Sequence, residues 1–235
     1  MQINGAHVLV TGANRGLGRQ FVLSLLDRGA AKVYATARRP DLIDVPGVVP
    51  LRLDITDPAS VAAAAAAAPD VKIVINNAGI STGANLVTGD LDTIRREMDT
   101  HFYGTLNVIR AFAPQLADGA ILNVLSALSW LAFDGAGAYH AAKAAEWALT
   151  NSVRLELANQ GTLVTGLHLG AADTDMMAWY TGDKAAPEVI VEAALDGIEA
   201  RRPEVLADDW SRQVKAWLSE DPSVVYREAA AALTA

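Results

Sequence analysis

Short apolar runs alternate with longer stretches in which apolar residues recur at helical spacing, and this alternation repeats along most of the chain. His7–Thr11 (HVLVT) reads as a strand running into a glycine-rich stretch at 12–18. Residues 17–28 follow as a helix, with Phe21, Leu25 and Leu26 on one face and Gly29 as its stop. Lys32–Ala37 (KVYATA) is a second strand and 48–53 (VVPLRL) a third, weakened by Pro50, which has no N–H for a sheet ladder. The alanine-rich stretch 57–67 reads as a helix whose small side chains suit close packing on a sheet. A fourth strand at 71–76, a long helix at about 92–116, a fifth strand at 120–125, a helix at about 137–158 and a sixth strand at 163–169 complete the pattern.

Apolar strands alternating with helices imply a parallel sheet covered on both faces. Right-handed crossovers then give an α/β fold, a doubly wound parallel sheet of Rossmann type in three α/β/α layers. Nothing in composition divides the chain, so residues 1–235 read as one domain. Ligands of such sheets sit beyond the carboxyl ends of the strands, so the residues after each strand matter most.

Composition narrows the classes. Hydrophobic residues make up 51% of the chain, which excludes global disorder. With no cysteine there is neither a disulfide framework nor a thiolate metal site, and no metal is expected. The start, Met1-Gln2-Ile3-Asn4-Gly5, lacks the regions of a signal peptide, and no apolar run is long enough to span a bilayer. A cytoplasmic protein is expected. A net charge of −8 argues against nucleic acid or an anionic membrane as partner. Any polyphosphate ligand must then be held by local dipoles and a few placed arginines.

The glycine-rich stretch reads Thr11-Gly12-Ala13-Asn14-Arg15-Gly16-Leu17-Gly18, between a strand and a helix. Glycines there allow a tight turn and close approach of backbone to a pyrophosphate on the helix N-terminus. At the end of the second strand, where a carboxylate would bond a ribose and favour NAD, stands Ala37, followed by Arg38 and Arg39. With Arg15, these guanidinium groups suit a 2′-phosphate, so NADP(H) is expected over NAD(H). Asp54, after the third strand, reads either as a partner of the adenine amino group or as a turn residue.

Tyr139 and Lys143 lie four apart on a helix and share a face. An ammonium and an oxidised nicotinamide ring beside a tyrosine favour phenolate, lower its pKa and fit it for acid–base work. Ser126, at the end of the fifth strand, can bond a substrate oxygen; Ser129 competes, disfavoured only by its spacing to Tyr139.

Taken together, these residues resemble the short-chain dehydrogenase/reductase family in its compact form. The matches, in family order over about 7–175, are Thr11–Gly18 (TGANRGLG), Asp54-Ile55, Asn76-Asn77-Ala78-Gly79 (NNAG), Ser126 and Tyr139-x-x-x-Lys143. The resemblance implies hydride transfer between a nicotinamide and a carbonyl or secondary alcohol. Ser126 would orient the oxygen, Tyr139 act as acid or base, and Lys143 hold the nicotinamide ribose. Gly12, Asn14, Arg15, Gly16, Leu17, Gly18, Arg38, Asp54 and Ile55 would hold the cofactor, with Asn77, Ala78 and Gly79 on the adenosine side and Ala172 and Thr174 at the carboxamide. It also implies a homo-oligomer, a tetramer or dimer, and a lid at about 173–220.

Two positions depart from the family pattern. His101 stands where the family often has an asparagine that supports a proton relay; it reads as a relay group or as a buried histidine with a backbone partner. Leu169-Gly170 replaces the family's Pro-Gly. Met176, Met177, Trp179, Tyr180, Trp130, Leu131 and Phe133 suggest a hydrophobic carbonyl substrate, with core packing as the other reading. An NAD-linked alcohol dehydrogenase and a non-catalytic dinucleotide sensor are the alternatives on the same scaffold.

Overall fold

The computed structural model describes residues 1–234; residue 235 of the expected domain lies outside them. Its strands are β1 (His7–Thr11), β2 (Lys32–Ala37), β3 (Val49–Arg52), β4 (Ile73–Asn76), β5 (Ala120–Val124), β6 (Leu163–His168) and β7 (Glu204–Leu206). They form one parallel sheet ordered β3-β2-β1-β4-β5-β6-β7. The chain winds outward in one direction from β1 and in the other from β4, so a crevice opens between their carboxyl ends. Pro50 lies on the edge strand β3, where a missing donor is tolerated.

Alternate strand residues face opposite layers. Val8 and Val10 pack with Phe21, Val22 and Leu25 of α1 (Gly16–Asp27) and with Ile190 and Leu195 of α6 (Pro187–Glu199). Leu9, between them, faces the other layer, with Val61 and Ala64 of α2 (Pro58–Ala67), Val108 and Phe112 of α4 (Thr105–Phe112), and Leu149 and Val153 of α5 (Gly137–Glu156). This period of two, buried on both sides, is why the strands read as continuous apolar runs.

The long helix expected at 92–116 is divided. It comprises α3 (Leu91–Met98), a π-helical turn (Asp99–Gly104), α4 and a 3-10 turn at Ala113–Gln115, which contains Pro114. Within the π turn Thr100, His101 and Gly104 are buried, and the wider turn carries the His101 ring to the Ile80 carbonyl. Residues 173–220, expected as a lid, include α6, β7 and α7 (Asp209–Ala216), and β7 extends the sheet beside β6. The chain closes with α8 (Pro222–Thr234). Trp130 and Leu131 do not line the cleft described below: they pack in a cluster with Val214, Trp217 and Val225, the core reading of the sequence.

Candidate active site

A cleft of about 720 Å³ opens beyond the carboxyl ends of the central strands. On one side, β1 passes into α1 through the glycine loop. Gly12 has φ +66°, which side chains resist, and a Cβ there would lie 3.0 Å from Ala78 Cα. At Gly18 a Cβ would fall 2.1 Å from the Gly12 carbonyl oxygen, so only glycine lets α1 close on the loop. Arg15, the N-cap of α1, makes no side-chain cap, and the first turn has no acidic residue. The N–H groups and positive dipole end of α1 therefore suit an anion. Asn77 ties β4 to this loop: its amide donates to the Thr11 carbonyl at 2.9 Å, and Thr11 Oγ1 accepts from the Asn77 and Ala78 N–H groups.

Beyond β2, Ala37 is buried and neutral, and Arg38 is exposed. Arg38 has no ion-pair partner among the described residues, while Arg39 pairs with Asp41 at 2.8 Å and Arg15 with Asp175 at 3.4 Å. Arg15, Arg38, Arg39 and Arg96 all line the cleft, together with Asp54 and Asp175. Glycine cradle, uncapped helix start and guanidinium groups fit a dinucleotide bearing an extra phosphate. Asp54 serves a turn and the cleft at once: Oδ1 accepts from the Thr56 N–H and hydroxyl at 3.0 and 2.7 Å.

The other side is built on β5 and α5. Ser126 caps a short 3-10 turn (Ala127–Ser129), its Oγ accepting from Leu128 N–H at 3.1 Å, which leaves its own proton free to donate. Its carbonyl accepts from His168 Nδ1 at 3.0 Å. Burial holds His168 neutral, its pKa lowered to about 4. Tyr139 lines the same cleft from α5. One turn later, buried Lys143 donates to the Val124 carbonyl at 2.8 Å and to Glu146 Oε2 at 2.7 Å. An ammonium has three donors, so one remains for the cleft. Ser129 is buried and does not line the cleft.

The chain matches the family of short chain dehydrogenases over residues 6–185. It belongs to that family. A short chain dehydrogenase from Burkholderia cenocepacia J2315, solved in complex with NADP, is 37% identical with a TM-score of 0.93, over 97% of this chain and 98% of its own. An NADPH-dependent 1-acyldihydroxyacetone phosphate reductase of Schizosaccharomyces pombe is 35% identical over 195 residues, 77% of this chain but only 66% of the yeast protein. Carbonyl reductase [NADPH] 2 of Sus scrofa is 30% identical over 78% of each chain.

In this short-chain dehydrogenase, Gly12, Asn14, Arg15, Gly16, Leu17, Arg38, Asp54, Ile55, Asn77, Ala78, Gly79, Ala172 and Thr174 all line one cleft with Ser126, Tyr139, Lys143 and His101. Gly18 stands behind it as a packing residue. Sequence reasoning missed the buried carboxylates behind the site. Glu146, seven residues after Tyr139 on the same helix, is 1% exposed and accepts from both Lys143 and Thr105. Glu97, fully buried, accepts from Thr82 N–H and lies 3.3 Å from His101 Nε2.

Burial pushes the Tyr139 hydroxyl above its ordinary pKa; Lys143 and Ser126 pull it down, but Glu146 and Glu97 push it up again. For Lys143, burial works against the charge, yet Glu146 and Tyr139 hold its pKa above the usual lysine range. Burial opposes the Glu146 carboxylate too, and Lys143 with His101 outweighs it.

Proposed function

We propose that this protein is an NADP(H)-dependent oxidoreductase that reduces ketones or aldehydes and, in reverse, oxidises secondary alcohols. The observation that carries this reading is the opening of Ser126, Tyr139 and Lys143 into the cleft that also holds the glycine loop and Arg38. When bound, NADPH supplies the hydride that adds to the carbonyl carbon. Ser126 donates its free proton to the carbonyl oxygen and orients it. Tyr139 gives its proton to the developing alkoxide, and the ammonium of Lys143 stabilises the phenolate that remains. Arg15 and Arg38 take the 2′-phosphate, as the NADP and NADPH in the names of relatives support.

Asp175, Met176 and Met177, which line the cleft, belong to the lid of this reading, the segment at about 173–220, with an apolar carbonyl compound beneath. A cytoplasmic homo-oligomer, dimer or tetramer, completes it. Tyr139→Phe should lose turnover by at least about a hundredfold while NADPH binding, read by fluorescence, is retained. Arg38→Ala should erode the preference for NADPH over NADH about tenfold or more. Full turnover by Tyr139→Phe would overturn the reading.

A further inference from the structure

Two buried carboxylates stand behind the reacting tyrosine. Glu146 lies two helical turns beyond Tyr139 on the same face of α5, with Lys143 between them. Its Oε2 is 2.7 Å from Lys143 Nζ, which lies 5.9 Å from the centre of the Tyr139 ring. Glu97 comes from α3 on the other side. His101 stands between the two acids: its Nε2 bonds the Ile80 carbonyl at 2.8 Å and lies 3.3 Å from Glu97 Oε2, and its Nδ1 is 3.7 Å from Glu146 Oε2. The same ring meets Tyr139 edge-on at 5.4 Å. Glu97, His101, Lys143 and Glu146 are each 5% exposed or less, so their charges act with little screening.

A lone ammonium beside Tyr139 would favour phenolate, the form that takes a proton from an alcohol. Here the ammonium is neutralised at contact distance, and a second carboxylate lies behind the His101 ring that meets Tyr139. Resting on the hydride-transfer reading above, we propose that Glu146, assisted by Glu97, is a positioning residue that keeps Tyr139 in its proton-donating form and so sets this enzyme for carbonyl reduction rather than alcohol oxidation. As the hydride drawn from NADPH, which becomes NADP, bonds to the carbonyl carbon, the C=O π pair moves to oxygen. The Tyr139 O–H bond breaks, its proton goes to the alkoxide oxygen, and the phenolate regains a proton from solvent, which keeps the hydroxide. In oxidation the same tyrosine must start without its proton, which the two carboxylates oppose.

The charged and titratable groups facing Tyr139 are Lys143, Glu146 and His140 on its own helix, His101 on the π turn and Glu97 on α3. His140, 6.5 Å ring to ring from Tyr139, is held neutral by burial, with a pKa of about 4. His168 on β6 lies behind Ser126 and is neutral as well.

The test is an ultraviolet titration of tyrosinate in the cofactor-free protein, with Tyr139→Phe as the blank, in wild type, Glu146→Gln, Glu146→Asp and Glu97→Gln. Glu146→Gln should bring the Tyr139 phenolate in at lower pH, by about one unit. Glu97→Gln should move it the same way by less, and Glu146→Asp, which keeps the charge, should leave it near wild type. In kinetics with acetophenone and NADPH, and with 1-phenylethanol and NADP, the alkaline limb of reduction and the acid limb of oxidation should follow the titration. At pH 7 and saturating substrates, kcat for oxidation relative to kcat for reduction should rise several-fold. An unmoved or upward-moved phenolate in Glu146→Gln, or an equal shift in Glu146→Asp, overturns the proposal. Where Glu146→Gln fails to fold, an unmoved Glu97→Gln overturns it. Turnover by Tyr139→Phe would instead sink the underlying functional reading and leave the titration result standing.

Discussion

The two ends of the sheet handle charge in opposite ways. At the amino end, His7 opens β1, Lys32 opens β2, and Asp70 precedes β4. The Asp70 carboxylate gathers Lys32 at 2.6 Å, the Tyr34 hydroxyl at 2.6 Å and His7 at 2.9 Å, and the Asp70, Lys32 and His7 side chains stay about a third exposed. At the carboxyl end, Lys143 and Glu146 pair at 2.7 Å with side chains 6% and 2% exposed, and His101 and Glu97 lie behind them. The first cluster is a solvated clamp on strand ends. The second keeps charges out of water, where desolvation opposes them and removing one partner strands the other. Such an arrangement contributes little net stability, so its place beside Tyr139 points to chemistry.

The largest break in this comparison is Lys143→Met. It removes the cation from a buried carboxylate, leaving it the Thr105 hydroxyl and the His101 ring at 3.7 Å, and should cost about 3–5 kcal/mol in unfolding free energy. Turnover should vanish with it. Lys143→Met combined with Glu146→Leu should recover most of the stability and none of the activity, since apolar replacement of a buried pair is often neutral. Denaturant unfolding of the single and double variants checks both. A cost under about 1 kcal/mol for Lys143→Met would place the pair with the solvated clamp.

The contrast also marks what the sequence disclosed. Six of the seven strands, the glycine loop and the Tyr139–Lys143 pair follow from period and spacing, because local sterics and strand burial dictate them. Ser126 was separable from Ser129 only by its spacing to Tyr139, and the fold turns Ser129 inward. Three-residue β7 carries too short a pattern to read as a strand. The π turn at Asp99–Gly104 has no periodic signature, and the contact it accompanies, the His101 ring on the Ile80 carbonyl, spans 21 residues in sequence. Glu97 and Glu146 look like ordinary helix acids until tertiary packing buries them.

Burial at the site end predicts a smaller effect in acid. His140 and His168 have pKa values lowered to about 4 by burial, against about 6.5 when unfolded. The unfolded chain therefore binds more protons between these values. The stability these histidines contribute is present above about pH 6.5 and is lost as pH falls toward 4. Unfolding free energy should drop by about 3–4 kcal/mol from pH 7 to pH 5 if both histidines act in full. His140→Phe, which keeps a ring against Phe133, should flatten that slope. An unchanged slope in that variant would assign the acid loss to other groups.

The smallest effect belongs to the solvated clamp. Lys32 and the Tyr34 hydroxyl hold Asp70 down to a pKa of about 2. Because its folded pKa is depressed, its contribution is present above the unfolded value near 4 and is lost as pH falls through about 2. Its side chain is 36% exposed, so solvent and salt screen these pairs. Asp70→Asn keeps an acceptor for the Tyr34 hydroxyl and should cost only about 0.5–1 kcal/mol at pH 7 and low salt. That cost should shrink in 1 M salt or at pH 3, in paired unfolding curves of wild type and variant. A salt-insensitive cost of about 3 kcal/mol or more would mean that Asp70 behaves as a buried ion. The amino end would then be an electrostatic core in its own right, and burial of charge would no longer distinguish the end of the sheet where the chemistry sits.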